Sequence, residues 1–248
     1  IIGGAQALSY VIRMVKTKLV AVLLGPGGVG LIGLYESAIS LVGTFSGLGI
    51  ASSGVRQVAE ASGSGDDIRI GRTILVLRRT CWITGLLGTV LTAALAWPLS
   101  VWTFGNSERA GAITLLGVTL LMASLSGGQM SMIQGIRRIG DLARFQVLSV
   151  SAGSVISVAL YAWLGLRGIV PALLISAAVN LGLSWWLARR VQVPPVRMTW
   201  PETAREARHL VSLGLAFMWS AVLVAGVGLA SAALISRHFG IEANGIYQ

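Results

Sequence analysis

The chain has 248 residues, 54% of them hydrophobic and only 11% charged, with a mean hydropathy of +0.79. A soluble domain of this size cannot hide so much apolar surface, so the chain as a whole is not water-soluble. The net charge of +10 would suggest nucleic acid in a soluble protein, but most basic residues here sit in loops, where a one-sided excess of Lys and Arg beside a bilayer explains them and no nucleic-acid partner is expected. Cys81 is the single cysteine, which excludes an intramolecular disulfide and a cysteine metal cluster.

The apolar runs have the length of helices, not of ten-residue alternating strands, so they predict an all-α polytopic membrane bundle and not an outer-membrane barrel. Seven crossings are predicted, over residues 4–24, 31–58, 73–97, 110–133, 145–166, 169–187 and 210–236. The break between the first two is Leu24-Gly25-Pro26-Gly27-Gly28-Val29-Gly30. Pro171 falls in the first turn of the sixth crossing, where proline is tolerated. Pro194-Pro195 opens the one long loop, and residues 203–209 are predicted to form an interfacial helix before the seventh crossing.

Twelve of the 19 basic residues fall in three alternate loop regions: Arg69, Arg72, Arg78 and Arg79; then Arg137, Arg138 and Arg144; then Arg189, Arg190, Arg197, Arg205 and Arg208. The opposite side holds Arg109, Arg167 and Arg237. This asymmetry places the start of the first crossing and the three basic loops on the cytoplasmic side. Trp97, Trp102 and Trp163 fall at outer ends, and Trp82, Trp185 and Trp186 toward inner ends, as an aromatic belt requires. Gly43 and Gly47, and Ser149, Gly153 and Ser154, recur at near-helical spacing and are read as close-packing positions.

Leu24-Gly25, four residues and Gly30-Leu31 recur as Phe239-Gly240, four residues and Gly245-Ile246. A six-crossing unit that restarts at the seventh would give this, and repeated halves are common in transporters. The expected organisation is a six-helix lobe with its connecting loop over 1–209 and the first helix of a second lobe over 210–248. The chain begins at Ile1 and stops at Gln248 in mid-element, so it is expected to be part of a longer protein.

Leu24-Gly25-Pro26-Gly27-Gly28-Val29-Gly30-Leu31, Gly47-Leu48-Gly49-Ile50 and Gly54-Val55-Arg56, in that order, resemble the start of Wzx-type polysaccharide flippases. The likeness is to O-antigen and enterobacterial common antigen (lipid III) translocases of the multidrug/oligosaccharidyl-lipid/polysaccharide exporter superfamily. Gln134-Gly135-Ile136-Arg137-Arg138 resembles that family's Gly-Phe-Arg stretch after the fourth crossing, and Glu242-Ala243-Asn244-Gly245-Ile246-Tyr247-Gln248 its second-lobe opening. The resemblance implies a bacterial inner-membrane protein with two six-helix lobes around a cavity. By alternating access it would carry an undecaprenyl-pyrophosphate-linked oligosaccharide to the periplasmic leaflet. It also implies membrane lipids, a polysaccharide polymerase and chain-length proteins as partners, no cofactor, and coupling to a proton or sodium gradient. Lys18 falls where related translocases carry a basic residue before the Gly-Pro break, and Arg56 lies close to a family basic position. Arg13 and Lys16 match no firm family position.

Read on their own chemistry, Arg13 and Lys16 are three residues apart and share a helix face. Arginine facing lipid would cost several kcal/mol, at least about 2.5, so Arg13 faces either a wet cavity or a partner. A cavity-facing guanidinium can hold a pyrophosphate through two parallel hydrogen bonds; the structural alternative is pairing with Glu36 or with helix carbonyls. Lys18 projects about 140° from Arg13, at roughly 100° per residue, and either snorkels to the surface or touches cargo. Arg56 is either an interfacial anchor or a cargo contact. Glu36 is a coupling-ion carboxylate, a partner of a first-crossing base or an interface residue. Gln129, Gln134 and Asn180 suit sugar hydroxyls or interhelical hydrogen bonds equally. Residues 25–30 lack the Lys-Ser/Thr of a phosphate loop, and no catalytic triad, carboxylate pair or metal cluster is visible, so no enzyme is expected. Two other functions fit the same composition: a cation-coupled drug or metabolite exporter, which should prefer acidic groups in its cavity, and a non-transporting membrane scaffold of a polysaccharide assembly complex, which would not need deep charges.

Overall fold

The structure, a computed structural model, describes residues 2–239, all helices, turns and links, with no strand among them. The helices are α1 (Ile2–Gly47), α2 (Ile50–Gly63), α3 (Asp67–Phe104), α4 (Ala110–Gly135), α5 (Ile139–Leu164), α6 (Ile169–Ala188) and α7 (Trp200–Phe239), with a 3-10 turn at Gly165–Gly168 before α6. The repeat and family motif over 240–248 lie outside the described residues.

Five helical stretches are long and apolar enough to cross a membrane, and two of them run for 45 and 50 residues. At about 1.5 Å per residue each of these would extend roughly 70 Å, more than twice a ~30 Å bilayer core. Each therefore holds two crossings. The first turns at Gly25, whose φ of 70° and ψ of 177° lie in a region open essentially to glycine alone, just before Pro26. The fold-back is visible in what it joins: Val20 shares a core cluster with Leu31 and Tyr35, and Arg13 shares a cavity with Glu36. In a straight helix the last two would stand about 35 Å apart. The second long stretch turns at Gly165, where φ is 56°, and α5 returns against α6.

Three expected boundaries are corrected. The second crossing runs over 26–47, not 31–58, because Leu48 and Gly49 both take positive φ (48° and 63°) and end the helix. Residues 50–63 then form the separate helix α2. The third crossing extends from 73–97 to Asp67–Phe104: Asp66 caps its start by accepting hydrogen bonds from the Ile68 and Arg69 amides at 2.9 and 3.3 Å, and Pro98 does not stop it. Residues 203–209 are no separate interfacial helix but early turns of α7. Nothing between Glu202 and Gly214 is a glycine or proline, so no helix breaker intervenes.

Two apolar clusters hold the bundle, one near each end. Val20, Leu31, Ala96, Ile113 and Ile169 pack near the Gly25 turn; Ile50, Val58, Leu77, Ile133 and Leu187 pack at the opposite end. The outer surface is apolar instead of polar, with Val22 83%, Val155 70% and Leu223 68% exposed, as hydrocarbon solvent permits. Several buried hydroxyls return to carbonyls of their own helix, as in Thr80 to Val76 (2.8 Å) and Thr92 to Gly88 (2.7 Å). α3 and α4 pack closely along their length. There Ser124 donates to the Cys81 carbonyl at 2.8 Å and Thr89 to the Gly117 carbonyl at 3.1 Å, while Gly85 and Gly128 let the helices approach.

The three basic loop regions meet at one end of the molecule. Arg138 donates to the Arg190 carbonyl at 2.9 Å, and Arg79 donates to the Met198 carbonyl at 3.1 Å and to the Thr203 hydroxyl. Asp141, buried, is held between Arg138 (2.9 Å) and Arg144 (3.3 Å). The tryptophans of the expected belt are exposed, Trp163 most of all at 89%.

Candidate functional site: a polar cavity inside the helical bundle

The hairpin at Gly25 lays the two arms of α1 beside α4, α5 and α6 and leaves a cavity of about 1000 Å³ between them. One wall is basic. Arg13 and Lys16 both line it, with Thr17 on the same arm and Glu36 on the returning arm. Arg13 lies 12 residues before the turn, so about 18 Å along the helix and near mid-membrane. Arg13 and Glu36 are exposed, and Lys16 is half-buried. Glu36 lies within the electrostatic reach of both cations, yet no ion pair within 4 Å joins any of the three to another described residue. Their charge remains available to a ligand.

The facing wall is neutral and polar. It is built by Gln146, Ser149, Ser157 and Tyr161 of α5 and by Ser176 and Asn180 of α6. Ser157 is satisfied by the Gly153 carbonyl at 2.7 Å. Ser149 Oγ, Ser176 Oγ and Asn180 Oδ1 are buried and make no hydrogen bond. Such groups are rare because each costs about 1–3 kcal/mol when left unmade. Three along one wall mark a surface able to bind hydroxyl-rich chemistry. Two cations opposite this wall can hold an anion, and the anion and the hydroxyls can belong to one molecule.

Of the residues singled out in the sequence, Arg13, Lys16, Glu36 and Asn180 come together here. Lys18 is exposed, and Arg56 on α2 is exposed near the basic end; neither lines the cavity. Gln129 borders a different groove, where its Oε1 accepts from the Ser184 hydroxyl, and Gln134 is exposed at the end of α4. Gly43 does pack, against Leu120, but Ser149, Gly153 and Ser154 line the cavity. The sequence reading missed Gln146, Ser149, Ser157 and Tyr161 as a set. They stand three, eight and four residues apart, with Gly153 of the same wall midway through the gap of eight, and so form one polar stripe on an otherwise apolar helix. Among the described residues no group of three or more His, Cys, Asp or Glu could hold a metal ion; His238 and the His209 side chain are outside what is described.

The helical arrangement has known counterparts. The structure of a MATE multidrug transporter, DinF-BH, solved as a complex, superposes with a TM-score of 0.77 at 14% identity, over 98% of this chain and 56% of that one. An inward-facing multidrug resistance MATE family transporter of the MOP superfamily gives 0.64 at 16% identity, over 95% and 56%. These likenesses show the fold. In sequence, the chain is 28% identical to lipid III flippases of Escherichia coli (strain K12) and Shigella flexneri, over 66% of its own length and 41% of theirs. The match thus spans less than half the length of those relatives. Flippase and transporter are the activities these names carry, and neither is a catalysed reaction. The family model described as "Polysaccharide biosynthesis protein" matches residues 1–248, and with its multi-pass helical fold the chain belongs to that polysaccharide biosynthesis family.

Proposed function

We propose that the chain is the first lobe, with the opening helix of the second, of a flippase for an undecaprenyl-pyrophosphate-linked oligosaccharide in the bacterial inner membrane. The observation that carries this reading is the pairing inside one cavity of Arg13 and Lys16 with the unpartnered Ser149, Ser176 and Asn180 oxygens. A pyrophosphate needs cations and bidentate donors. A sugar needs hydroxyl and amide partners. A cationic drug needs neither, and would be repelled by Arg13 and Lys16. The 28% identity to lipid III flippases points the same way.

In this mechanism the start of α1 and the three basic loops face the cytoplasm. The pyrophosphate enters beside Arg13 and Lys16, and the isoprenoid tail stays in the bilayer. Glu36 shares those cations and competes with the incoming phosphates. Protonation of Glu36, or its occupation by sodium, frees the cations for cargo and couples loading to an ion gradient. The second lobe closes the cavity and reopens it to the other side, the cargo biasing the two states.

The test is complementation. The full-length protein is expressed in cells deleted for their resident flippase, and surface polysaccharide is measured with several lipid-linked repeat units. Restoration with at least one repeat unit is expected. Correct insertion without restoration on any of them would overturn the reading in favour of export or scaffolding.

A further inference from the structure

A second concavity, of about 490 Å³, lies between α3, α4 and α6 on other faces of α4 and α6 than those that line the cavity. That volume is within the ~300–1,000 Å³ range of small-molecule sites. Its floor is apolar, formed by Met122, Leu125, Ala178 and Leu181, and its one amide side chain, Gln129, already accepts a hydrogen bond from Ser184. Trp82 and Trp185, about half exposed, stand at its edges.

Its charge is one-sided. Arg78 lines it, is exposed, and makes no ion pair or hydrogen bond with another described residue. The neighbouring Arg79 is used differently, bound to Met198 and Thr203 and stacked 4.7 Å over Trp200. Arg189 lies 3.5 Å over the Trp185 ring. Among the described residues no acidic side chain lines the groove. An apolar trough at the basic end of a membrane bundle, with two indoles and two guanidinium groups at its mouth, has the layout of a single amphiphile. The chain fits the trough, the ring edges sit at headgroup depth, and the phosphate meets the arginines. α7 packs on α1, α2 and α3, and none of its described residues lines the groove.

We infer that this groove is a binding site for an anionic phospholipid, one acyl chain lying on Met122, Leu125 and Leu181 and the headgroup phosphate meeting Arg78 and Arg189. The inference does not depend on the cargo assignment, since the two sites share no lining residue. Gly182, in the groove wall, has open space where a side chain would project, so a large residue there occupies the trough without displacing neighbouring helices.

The experiment uses the full-length protein in lipid nanodiscs with phosphatidylglycerol carrying a photoactivatable diazirine in one acyl chain, and the matching phosphatidylcholine probe. Crosslinked peptides are mapped by mass spectrometry. Labelling is expected to concentrate around Met122, Leu125 and Leu181, with the anionic phosphatidylglycerol probe favoured about fivefold. Arg78→Gln should bring the two probes level, and Gly182→Phe should remove labelling from the groove with either probe. Equal labelling by the two headgroups in the wild type, or labelling spread evenly around the lipid-facing helices, would overturn the inference. So would unchanged groove labelling in a folded Gly182→Phe protein.

Discussion

Arg13 and Gly25 are the two residues from which most of the site follows. Arg13 was legible in the sequence because a guanidinium in hydrocarbon is costly, about 2.5 kcal/mol or more, which leaves few places for it to face. The hydroxyls opposite were not legible. A serine in a membrane helix can satisfy itself on its own backbone, as Ser154 does on the Val150 carbonyl at 2.7 Å, and only the fold shows that Ser149 and Ser176 do not. Lys18 differs from Lys16 by two positions, which turns it away from the cavity. At Gly25 a new Cβ would touch nothing within 4 Å, so any cost of substitution is conformational. Gly25→Ala is expected to destabilise by about 1–3 kcal/mol through its positive φ alone, read as a lowered midpoint in thermal unfolding of the detergent-solubilised protein. An unchanged midpoint would show that the hairpin turns by another geometry.

The existence of each crossing was legible from hydropathy, and the boundaries were less so. The span over 31–58 looked continuous because Leu48 and Ile50 keep it apolar; the positive φ of Leu48 and Gly49 breaks it. That break has a packing reason. The backbone of Leu48 and Gly49 lies against the Gly214 backbone of α7, so neither glycine has room for a side chain. Gly214→Val is expected to force α7 away from the α1–α2 junction, with an overpacking cost of about 1–3 kcal/mol. A cysteine pair across that junction would then crosslink less efficiently than in the parent protein; undiminished crosslinking would contradict the contact. At the start of α7, Glu202 accepts from the Thr199 amide at 2.8 Å, which holds its carboxyl below the ordinary value. A depressed folded value means that the cap is at full strength above the ordinary carboxylate value of about 4.3 and fades as pH falls through the folded value. Amide protection at Thr199, corrected for intrinsic exchange, should hold from neutral pH down to about 4.3 and decline below it, whereas Glu202→Gln should show no such step. A parallel decline in both proteins would remove Glu202 from the cap.

At the scale of the molecule, the inside-out pattern, with Val22 and Val155 outward and Ser53, Thr84 and Ser184 inward, is what composition and charge asymmetry announced. The location of the cavity was not announced. It arises from a hairpin that brings residues 13 and 36 together and from two later helices that sequence proximity does not link to them. This cavity is proposed to bind the pyrophosphate of a lipid-linked sugar. The direct measurement is binding of undecaprenyl pyrophosphate to purified full-length protein, comparing wild type, Arg13→Ala/Lys16→Ala and Lys18→Ala. Each lost charge-assisted hydrogen bond is worth about 1.5–3 kcal/mol, so the double variant should bind at least tenfold more weakly. Lys18→Ala, with its side chain off the cavity, should match wild type. Wild-type affinity in the correctly folded double variant, or an equal loss in Lys18→Ala, would show that the pyrophosphate is not held by Arg13 and Lys16 in this cavity.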